Sequence, residues 1–394
     1  MRLRFSTLLA LRQLQHLGWG MLGKFAGVCV AIVLVFVQIG FQNALLDSVL
    51  QLDRALDADV VMVGPQFQTI GYSPPWFPRD AAYQASAVDD VISVRWAYIF
   101  IGQLRDPSTG VPIATRFVGF DPAAAPFRIQ DLEAQRARLA LPNTALLDRL
   151  SRQQFKPVVQ QLSLGEEPVT LYIQSPASTL APRVEVVGTF GLGPDFALAG
   201  NVITSDLNFY RFFQLPMDRI SIATVRIREG ADPEAVRDRI AARVGDAAQV
   251  HVKDAFVAAE RRYFNSETPI GVLFGFGIAI GILIGVVFVF EVLRGIIDLN
   301  LSEYAVLRAM GYQDRFFTAL VLQIAGVITT LAFLPSLLVT YGLYEALGRA
   351  TMLPFTLTGT VALGVLAAAL AMSAGAVLFA LRKLRRNNPI DLFS

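Results

Sequence analysis

His16 and His251 are the only histidines in the chain and Cys29 its only cysteine. A structural zinc site needs four Cys or His ligands, and a nucleophilic triad needs a histidine beside its serine. A Cys/His zinc cluster is therefore excluded, and His251 sits in a Val-His-Val alternation that reads as a strand. No Gly-x-x-x-x-Gly-Lys-Ser/Thr run is present, so the chain carries no phosphate loop with which to hydrolyse ATP itself. Carboxylates are plentiful, but no spacing singles out a pair for acid–base work. The expectation is a non-enzymatic chain with no metal and no cofactor of its own.

The residues that stand out are arranged for contact. In Asn300-Leu-Ser-Glu-Tyr-Ala-Val-Leu-Arg-Ala-Met-Gly-Tyr312, Asn300 as N-cap with Glu303 three residues on has the form of a capping box, and Gly311 stands where a left-handed C-terminal residue would sit. A short helix follows, with Leu301, Tyr304, Ala305 and Met310 facing one way and Glu303 and Arg308 facing solvent. The candidate docking residues are Glu303, Tyr304, Leu307, Arg308, Met310, Gly311 and Tyr312. An ordinary connecting helix packed on its own protein has the same spacing. A second feature is Gly277, Gly281 and Gly285, four apart on one helix face, a small-residue ridge suited to helix packing within the chain or to a dimer contact. Gly271 and Gly275 form a shorter one.

What must position these residues is a membrane. The chain of 394 residues is 54% hydrophobic and 17% charged, with a mean hydropathy of +0.49, too apolar for a typical soluble enzyme. Four windows free of charged side chains, Phe25 to Leu46, Ile270 to Phe290, Phe316 to Tyr344 and Leu353 to Leu381, each exceed the ~20 residues that span the hydrocarbon layer. Pro335 is placed to kink the third. Since the spans hold no ionisable residue, ion-driven transport has nothing to work with, and energy must come from another protein. The first span is longer than a signal-peptide core and lacks a small-x-small cleavage site, so it reads as an uncleaved anchor.

Arg2, Arg4, Arg12 and Lys24 precede the first span; Arg294, Arg308 and Arg315 separate the second and third; Arg382, Lys383, Arg385 and Arg386 follow the fourth. Only Arg349 lies in the opposite short loop. The positive-inside bias then places both termini and residues 291–315 in the cytoplasm and 47–269 outside. The resulting division is 1–24 cytoplasmic, 25–46 first span, 47–269 outer domain, 270–290 second span, 291–315 the loop with the short helix, 316–344 third span, 345–352 outer loop, 353–381 fourth span and 382–394 cytoplasmic tail. The basic residues after the fourth span suit anionic headgroups and not nucleic acid.

In the outer domain, Asp47 to Ala58 extends the first span as a stalk, Asp59 to Val63 reads as a buried strand, and 64–79 as a proline-rich loop exposing Tyr72, Trp76 and Phe77. Val91 to Leu104 and Thr115 to Phe120 are strands joined at Asp106-Pro-Ser-Thr-Gly110. Further on come a strand at 183–190, a helix capped by Ser205 or Thr204, a strand at 220–228, a helix capped by Asp232 with Pro233 in its first turn, and a strand at 249–253. Asp254 to Glu267 then runs as helix straight into the second span. The fold expected is an α+β domain hung between two continuous stalk helices, which either move with the spans or serve as static struts.

This layout, with Glu303-Tyr-Ala-Val-Leu-Arg-Ala-Met-Gly-Tyr312, resembles the FtsX-like permease family of ABC transporters, which includes the MacB-type exporters, and within it the DevC permeases. Supporting stretches are Phe41-Gln-Asn-Ala-Leu45, Val118-Gly-Phe-Asp-Pro122, Asn201 to Phe209, Gly230-Ala-Asp-Pro-Glu-Ala235 and Asn388-Pro-Ile-Asp-Leu-Phe393. Where the family carries a Glu-Arg-x-x-Glu-Ile type segment, Asn300, Ser302 and Glu303 stand here, as in the DevC branch. The resemblance implies four transmembrane helices plus a MacB-like periplasmic domain in the inner membrane. It implies a homodimer whose cytoplasmic helix binds a separate ABC ATPase, with ATP and magnesium on that partner. It also implies a membrane-fusion adaptor and an outer-membrane TolC-like channel, through which a lipid-like or hydrophobic substrate leaves by mechanotransmission. An FtsX-like signalling subunit activating a periplasmic cell-wall hydrolase, or a lipoprotein-releasing permease, are the alternatives.

Overall fold

The computed structural model describes residues 19–71, 74–105, 110–165, 167–174, 181–193 and 195–386. Arg2, Arg4, Arg12, His16, Tyr72, the Asp106-Pro-Ser-Thr connection and the 388–393 stretch lie outside the described residues. The chain divides into two units. One comprises 1–44, 269–351 and 355–394; the other 45–268 and 352–354.

The first span is α1 (Trp19–Val49), a single helix of 31 residues that continues past the apolar window, followed by the short α2 (Gln51–Ala55). Then come β1 (Val60–Val63), β2 (Phe77–Pro78), α3 (Arg79–Ser86), β3 (Val91–Arg105), β4 (Pro112–Phe120), α4 (Leu132–Gln135) and β5 (Thr144–Asp148). The α+β unit is completed by α5 (Lys156–Ser163), β6 (Val169–Gln174), β7 (Arg183–Phe190), β8 (Gly200–Ser205), α6 (Asp206–Phe213), β9 (Arg219–Ile220), β10 (Ile222–Ile227), α7 (Pro233–Val244), β11 (Gln249–Val252) and α8 (Lys253–Ser266). Two helix starts follow from their caps: Ser205 Oγ accepts from the Asn208 N–H at 3.2 Å, and Asp232 Oδ1 from that of Glu234 at 3.1 Å.

The long strand β3 organises the unit. Its first half pairs with β10, giving an antiparallel run β11-β1-β10-β3, and its second half pairs with β4. From there the order β4-β8-β5-β7-β6 returns to β3, where Gln103–Arg105 meet Tyr172–Gln174, so six strands close a hydrogen-bonded circuit. β4–β8 and β5–β7 are parallel pairs, so the sheet is mixed. Side chains alternate across a strand: Val60 and Met62 of β1 enter one core with Phe77, Phe209 and Ile240, while Val61 and Val63 enter another with Leu52 and Leu56 from the stalk and Phe256 from α8.

Phe77, expected in an exposed loop, is fully buried; its strand pairs with β9, and its ring fills the core beneath α3. The second stalk is also not continuous. α8 ends at Ser266, and Glu267 and Thr268 separate it from the next helix. The cause is Pro269, which lacks an N–H and disfavours helical geometry in the residue before it.

Among the described residues, four helices are long and apolar enough to cross a membrane. After α1 these are α9 (Pro269–Leu299), α11 (Asp314–Thr351) and α12 (Gly359–Arg386), with α10 (Leu301–Ala309) between α9 and α11. α11 runs on through Pro335 to Thr351, so the connection expected at 345–352 occupies 352–358. Small polar groups cross-link the spans: Ser336 Oγ donates to the Cys29 carbonyl at 3.1 Å, the Tyr344 hydroxyl to that of Phe36 at 2.5 Å, and Thr329 meets Ser373.

Candidate functional site

α10 is held at both ends, though not as its sequence suggests. Asn300 makes no side-chain cap to α10; its Nδ2 donates backwards to the Ile296 carbonyl at 2.7 Å, closing the end of α9. Such a bond satisfies one of the carbonyls that a helix C-terminus leaves open. At the other end the expected turn is complete. Gly311 has φ +89°, its N–H donates to Arg308 O at 3.0 Å, and the Tyr312 N–H reaches Leu307 O at 3.2 Å. These two bonds form a Schellman motif, and Gly311 suits it because a left-handed backbone strains any residue with a Cβ.

The inward side of α10 consists of Leu301, Tyr304 and Leu307, which pack on the membrane-helix core; Tyr304 is 5% exposed. An aromatic run fixes that side: Tyr304 meets Phe317 edge to face at 5.9 Å, Phe316 meets Phe317 at 5.7 Å, and Tyr312 lies 4.6 Å from Phe316. Glu303 and Arg308 are exposed, Tyr312 half-buried. Met310, expected beside Tyr304, instead stands 70% exposed. At about 100° per residue it lies half a turn from Leu301, and it forms the C-cap, where the chain leaves the helix. Val306, one turn earlier, and Leu299, the last residue of α9, are also exposed, 60% and 70%. Sequence patterning missed those two, since Val306 sits among inward residues and Leu299 ends a span.

Beside this apolar cap the end of α9 carries Glu291, Arg294 and Asp298, with Arg294 3.8 Å from Glu291 and 3.6 Å from Asp298, and Lys24 of α1 3.7 Å from Glu291. The end of α10 thus exposes Val306 and Met310, and the charged end of α9 exposes Leu299.

The three glycines of the ridge face their own bundle. A Cβ on Gly277 would stand 2.6 Å from the Gln38 side chain, one on Gly281 3.0 Å from Val35, and one on Gly285 against Met372 and 3.5 Å from Ala31. The close approach they permit joins α9 to α1 and α12. Nothing lies within 4 Å of a Cβ on Gly275.

In the α+β unit, a cavity of about 650 Å³ is lined by Asp57, Arg95, Phe127, Arg128, Glu133 and Arg136 among others. Its charges are internally paired: Asp57 takes Arg95 at 3.1 Å and Arg128 at 2.9 Å, and Glu133 takes Arg136 at 2.8 Å. Asp148 is fully buried yet accepts from the N–H groups of Leu150, Leu192 and Gly193 and from Asn201 Nδ2. Burial nevertheless pushes its carboxyl above the usual range. Among the described residues, no three His, Cys, Asp or Glu side chains gather as a metal site.

A family model described as FtsX-like permease C-terminal matches residues 275–389, and one described as MacB-like periplasmic core domain matches 21–243. Among solved structures, the periplasmic region of MacB from Actinobacillus actinomycetemcomitans is similar at 12% identity over 52% of this chain and 92% of that one, with a TM-score of 0.34. The extracellular domain of the noncanonic ABC-type transporter YknZ from Gram-positive bacteria aligns at 12% identity over 49% and 98% of the two chains, TM-score 0.33. A domain of a putative permease from Porphyromonas gingivalis aligns at 12% over 49% and 88%, TM-score 0.31. No curated protein matches the chain.

Proposed function

The chain belongs to the FtsX-like permeases that carry a MacB-like periplasmic core domain, and from that premise we propose that it is the membrane subunit of an ABC export machine, driven by a separate ATPase that docks on α10. The observation that carries the reading is the exposed pair Val306 and Met310 at the C-terminal end of α10, with Leu299 exposed at the end of α9, while the opposite side of α10 is anchored by Tyr304 and Leu307. A large apolar side chain gains about 1.5–3 kcal/mol when fully buried, so the pair on α10 supplies the apolar centre of an interface. The basic residues flanking the spans support an inner-membrane setting with α10 and both termini in the cytoplasm and the α+β domain in the periplasm.

Transmission rests on α1, an uninterrupted helix that supplies residues both to the membrane unit and to the α+β unit. Displacement of the first span is carried into the domain by α1 and by the Leu52 and Leu56 contacts below β1. The second connection, interrupted at Glu267 and Thr268, acts as a hinge while α1 acts as the rod. The domain then expels a lipid-like or hydrophobic substrate through a membrane-fusion adaptor and a TolC-like outer-membrane channel, with two copies of the chain per machine and ATP and magnesium bound by the ATPase. Placement within the DevC branch is supported by Val118-Gly-Phe-Asp-Pro122 and Gly230-Ala-Asp-Pro-Glu-Ala235.

The docking test is the variant Val306→Asp/Met310→Asp, which changes only exposed side chains. Co-purification of the ATPase is expected to fall at least tenfold, about 1.4 kcal/mol or more, while thermal melting of the permease stays unchanged. Undiminished co-purification would remove the basis for the reading.

A further inference from the structure

The cavity of about 650 Å³ in the α+β unit is assembled where three segments meet at the foot of the first stalk. Asp57 lies on the connection between α2 and β1, Arg95 on β3, and the other lining residues between Ala123 and Arg136, a segment that includes α4. Backbone bonds hold these segments together: the Asp57 N–H donates to the Pro126 carbonyl at 2.8 Å, and the Arg128 N–H to that of Ala55 at 2.7 Å. Phe127 and Leu132 belong to the core below and give the cavity a rigid base. Neither docking nor transmission uses it.

The charges of the lining do not cancel. Arg95, Arg128 and Arg136 stand against Asp57 and Glu133, which leaves one positive charge over. A fourth guanidinium, Arg226, lies 3.7 Å from Asp57 but is taken by Asp59 at 2.9 Å. Nor do the ion pairs use up the donors, since a guanidinium carries five N–H groups in a rigid fork. Arg95 commits Nη1 alone, to Asp57 Oδ2 and the Ala125 carbonyl, both at 3.1 Å. Arg128 meets Asp57 Oδ1 through Nε at 2.9 Å, and Arg136 meets Glu133 through Nη2 at 2.8 Å. Among the described residues, Nη2 of Arg95, both Nη atoms of Arg128 and Nη1 of Arg136 have no protein partner.

Exposure grades from the depth of the cavity to its mouth. The Asp57 side chain is 14% exposed and those of Arg95 and Arg136 are 32% and 33%, whereas Arg128 and Glu133 reach 73% and 77%. Asp57 is therefore an anchor: it fixes the Arg95 and Arg128 forks while their unused edges stay available. Groups held in this way lose little further side-chain freedom when a ligand arrives. A cavity of this volume is in the range that accepts small organic molecules, and one surplus positive charge is matched by one negative charge on the occupant. A planar carboxylate fits an arginine fork with two parallel hydrogen bonds.

We propose that this cavity binds a small organic molecule through a single carboxylate, with Arg95, Arg128 and Arg136 as its binding residues. The site rests on its own geometry and needs neither an ATPase nor α10, so it stands or falls separately from the export reading.

Fluorine NMR of 4-fluorobenzoate mixed with the full chain in phosphatidylcholine nanodiscs tests the assignment, with empty nanodiscs subtracted. The uncharged comparison is 4-fluorobenzamide, which has the same shape. The carboxylate is expected to bind saturably, one per chain, and about tenfold or more tightly than the amide. Arg128→Gln and Arg136→Gln should each weaken it by about tenfold, as the loss of a hydrogen bond to a charged group does, with melting unchanged. Arg183→Gln removes an arginine outside the cavity, 60% exposed, and should bind as the wild type does. Equal binding of carboxylate and amide overturns the proposal, a comparison that requires no variant. Undiminished binding in both cavity variants, or an equal loss in Arg183→Gln, overturns it as well. So does tighter capture of inorganic phosphate than of 4-fluorobenzoate, which would make the occupant a phosphate.

Discussion

Replacing Gly281 by leucine asks whether the glycine ridge of α9 serves the bundle or a second copy. Gly281 is buried, and a Cβ there would already stand 3.0 Å from Val35 Cγ2 and 3.7 Å from Leu34. Val35 is itself 1% exposed within the membrane-helix core, so it has little room to retreat. Three more carbons beyond that Cβ force either off-rotamer side chains or separation of α9 from α1, at a cost of about 1–3 kcal/mol. For a folding unit of this size that lowers the melting temperature by roughly 2–4 °C per kcal/mol. The control is Gly275→Leu, where nothing lies within 4 Å and melting is expected to stay within the noise. The assay is thermal unfolding of the detergent-solubilised chain, read together with its mass by light scattering. A lower melting point with unchanged oligomeric state is the expected result. Unaltered melting of Gly281→Leu, with a loss of self-association, would refute the packing argument and assign the ridge to a contact between copies.

Three further outcomes follow from particular side chains. Asp195→Asn removes the carboxylate of a pair with Arg116, buried on both sides, and is expected to destabilise the α+β unit by about 3–5 kcal/mol in urea, followed by the Trp76 and Trp96 fluorescence. The loss should be larger at pH 5 than at pH 8, where an ionised Glu260 becomes available to Arg116. Gly311→Ala imposes a Cβ at φ +89° and should cost about 1–2 kcal/mol locally, seen as faster amide exchange at 311 and 312 with the rest of the bundle unaffected. Tyr304→Ala, which empties an inward site that Phe317 leans on, is expected to weaken the bundle itself by about 3 kcal/mol, in contrast to the outward Met310→Ala, whose melting should match the wild type.

The parts of the fold legible in the sequence were those fixed by local chemistry. Apolar windows mark the four spans, Asp232 with Pro233 and Ser205 set two helix starts, and Gly311 sets a helix end, because each depends on residues within one turn. β8 and the closing of six strands onto Gln103–Arg105 were not legible, since strand pairing joins segments remote in sequence and leaves no local mark. Asn300 misled for a related reason: it stands between two helices and closes the earlier one. On α10 the helical period already puts Met310 half a turn from Leu301, so setting it beside Tyr304 misread the register, and termination at Ala309 leaves it as the exposed C-cap. Asp53 of α2 and Glu260 of α8 are buried and gave no signal at all. Each looks like an ordinary polar residue of a stalk until tertiary folding encloses it.

The proposed division of labour between the two connections has a physical basis. A continuous helix transmits axial and lateral displacement, whereas a break with a proline after it absorbs rotation in a few dihedral angles. On the proposed function, that asymmetry would let motion of the bundle reach the domain by one defined route.

Spin-label distances between the α+β domains of two copies in the reconstituted permease–ATPase complex decide whether nucleotide-driven movement arrives through α1. The label sits at exposed Ala258 in a Cys29→Ser background, and spectra are taken without nucleotide and with a trapped ATP state. The distance distribution is expected to shift on trapping, and the shift to vanish when Gly-Gly-Ser is inserted between Ala44 and Leu45 with ATP hydrolysis retained. A distribution indifferent to nucleotide, or an equal shift in the chain with α1 interrupted, would contradict it.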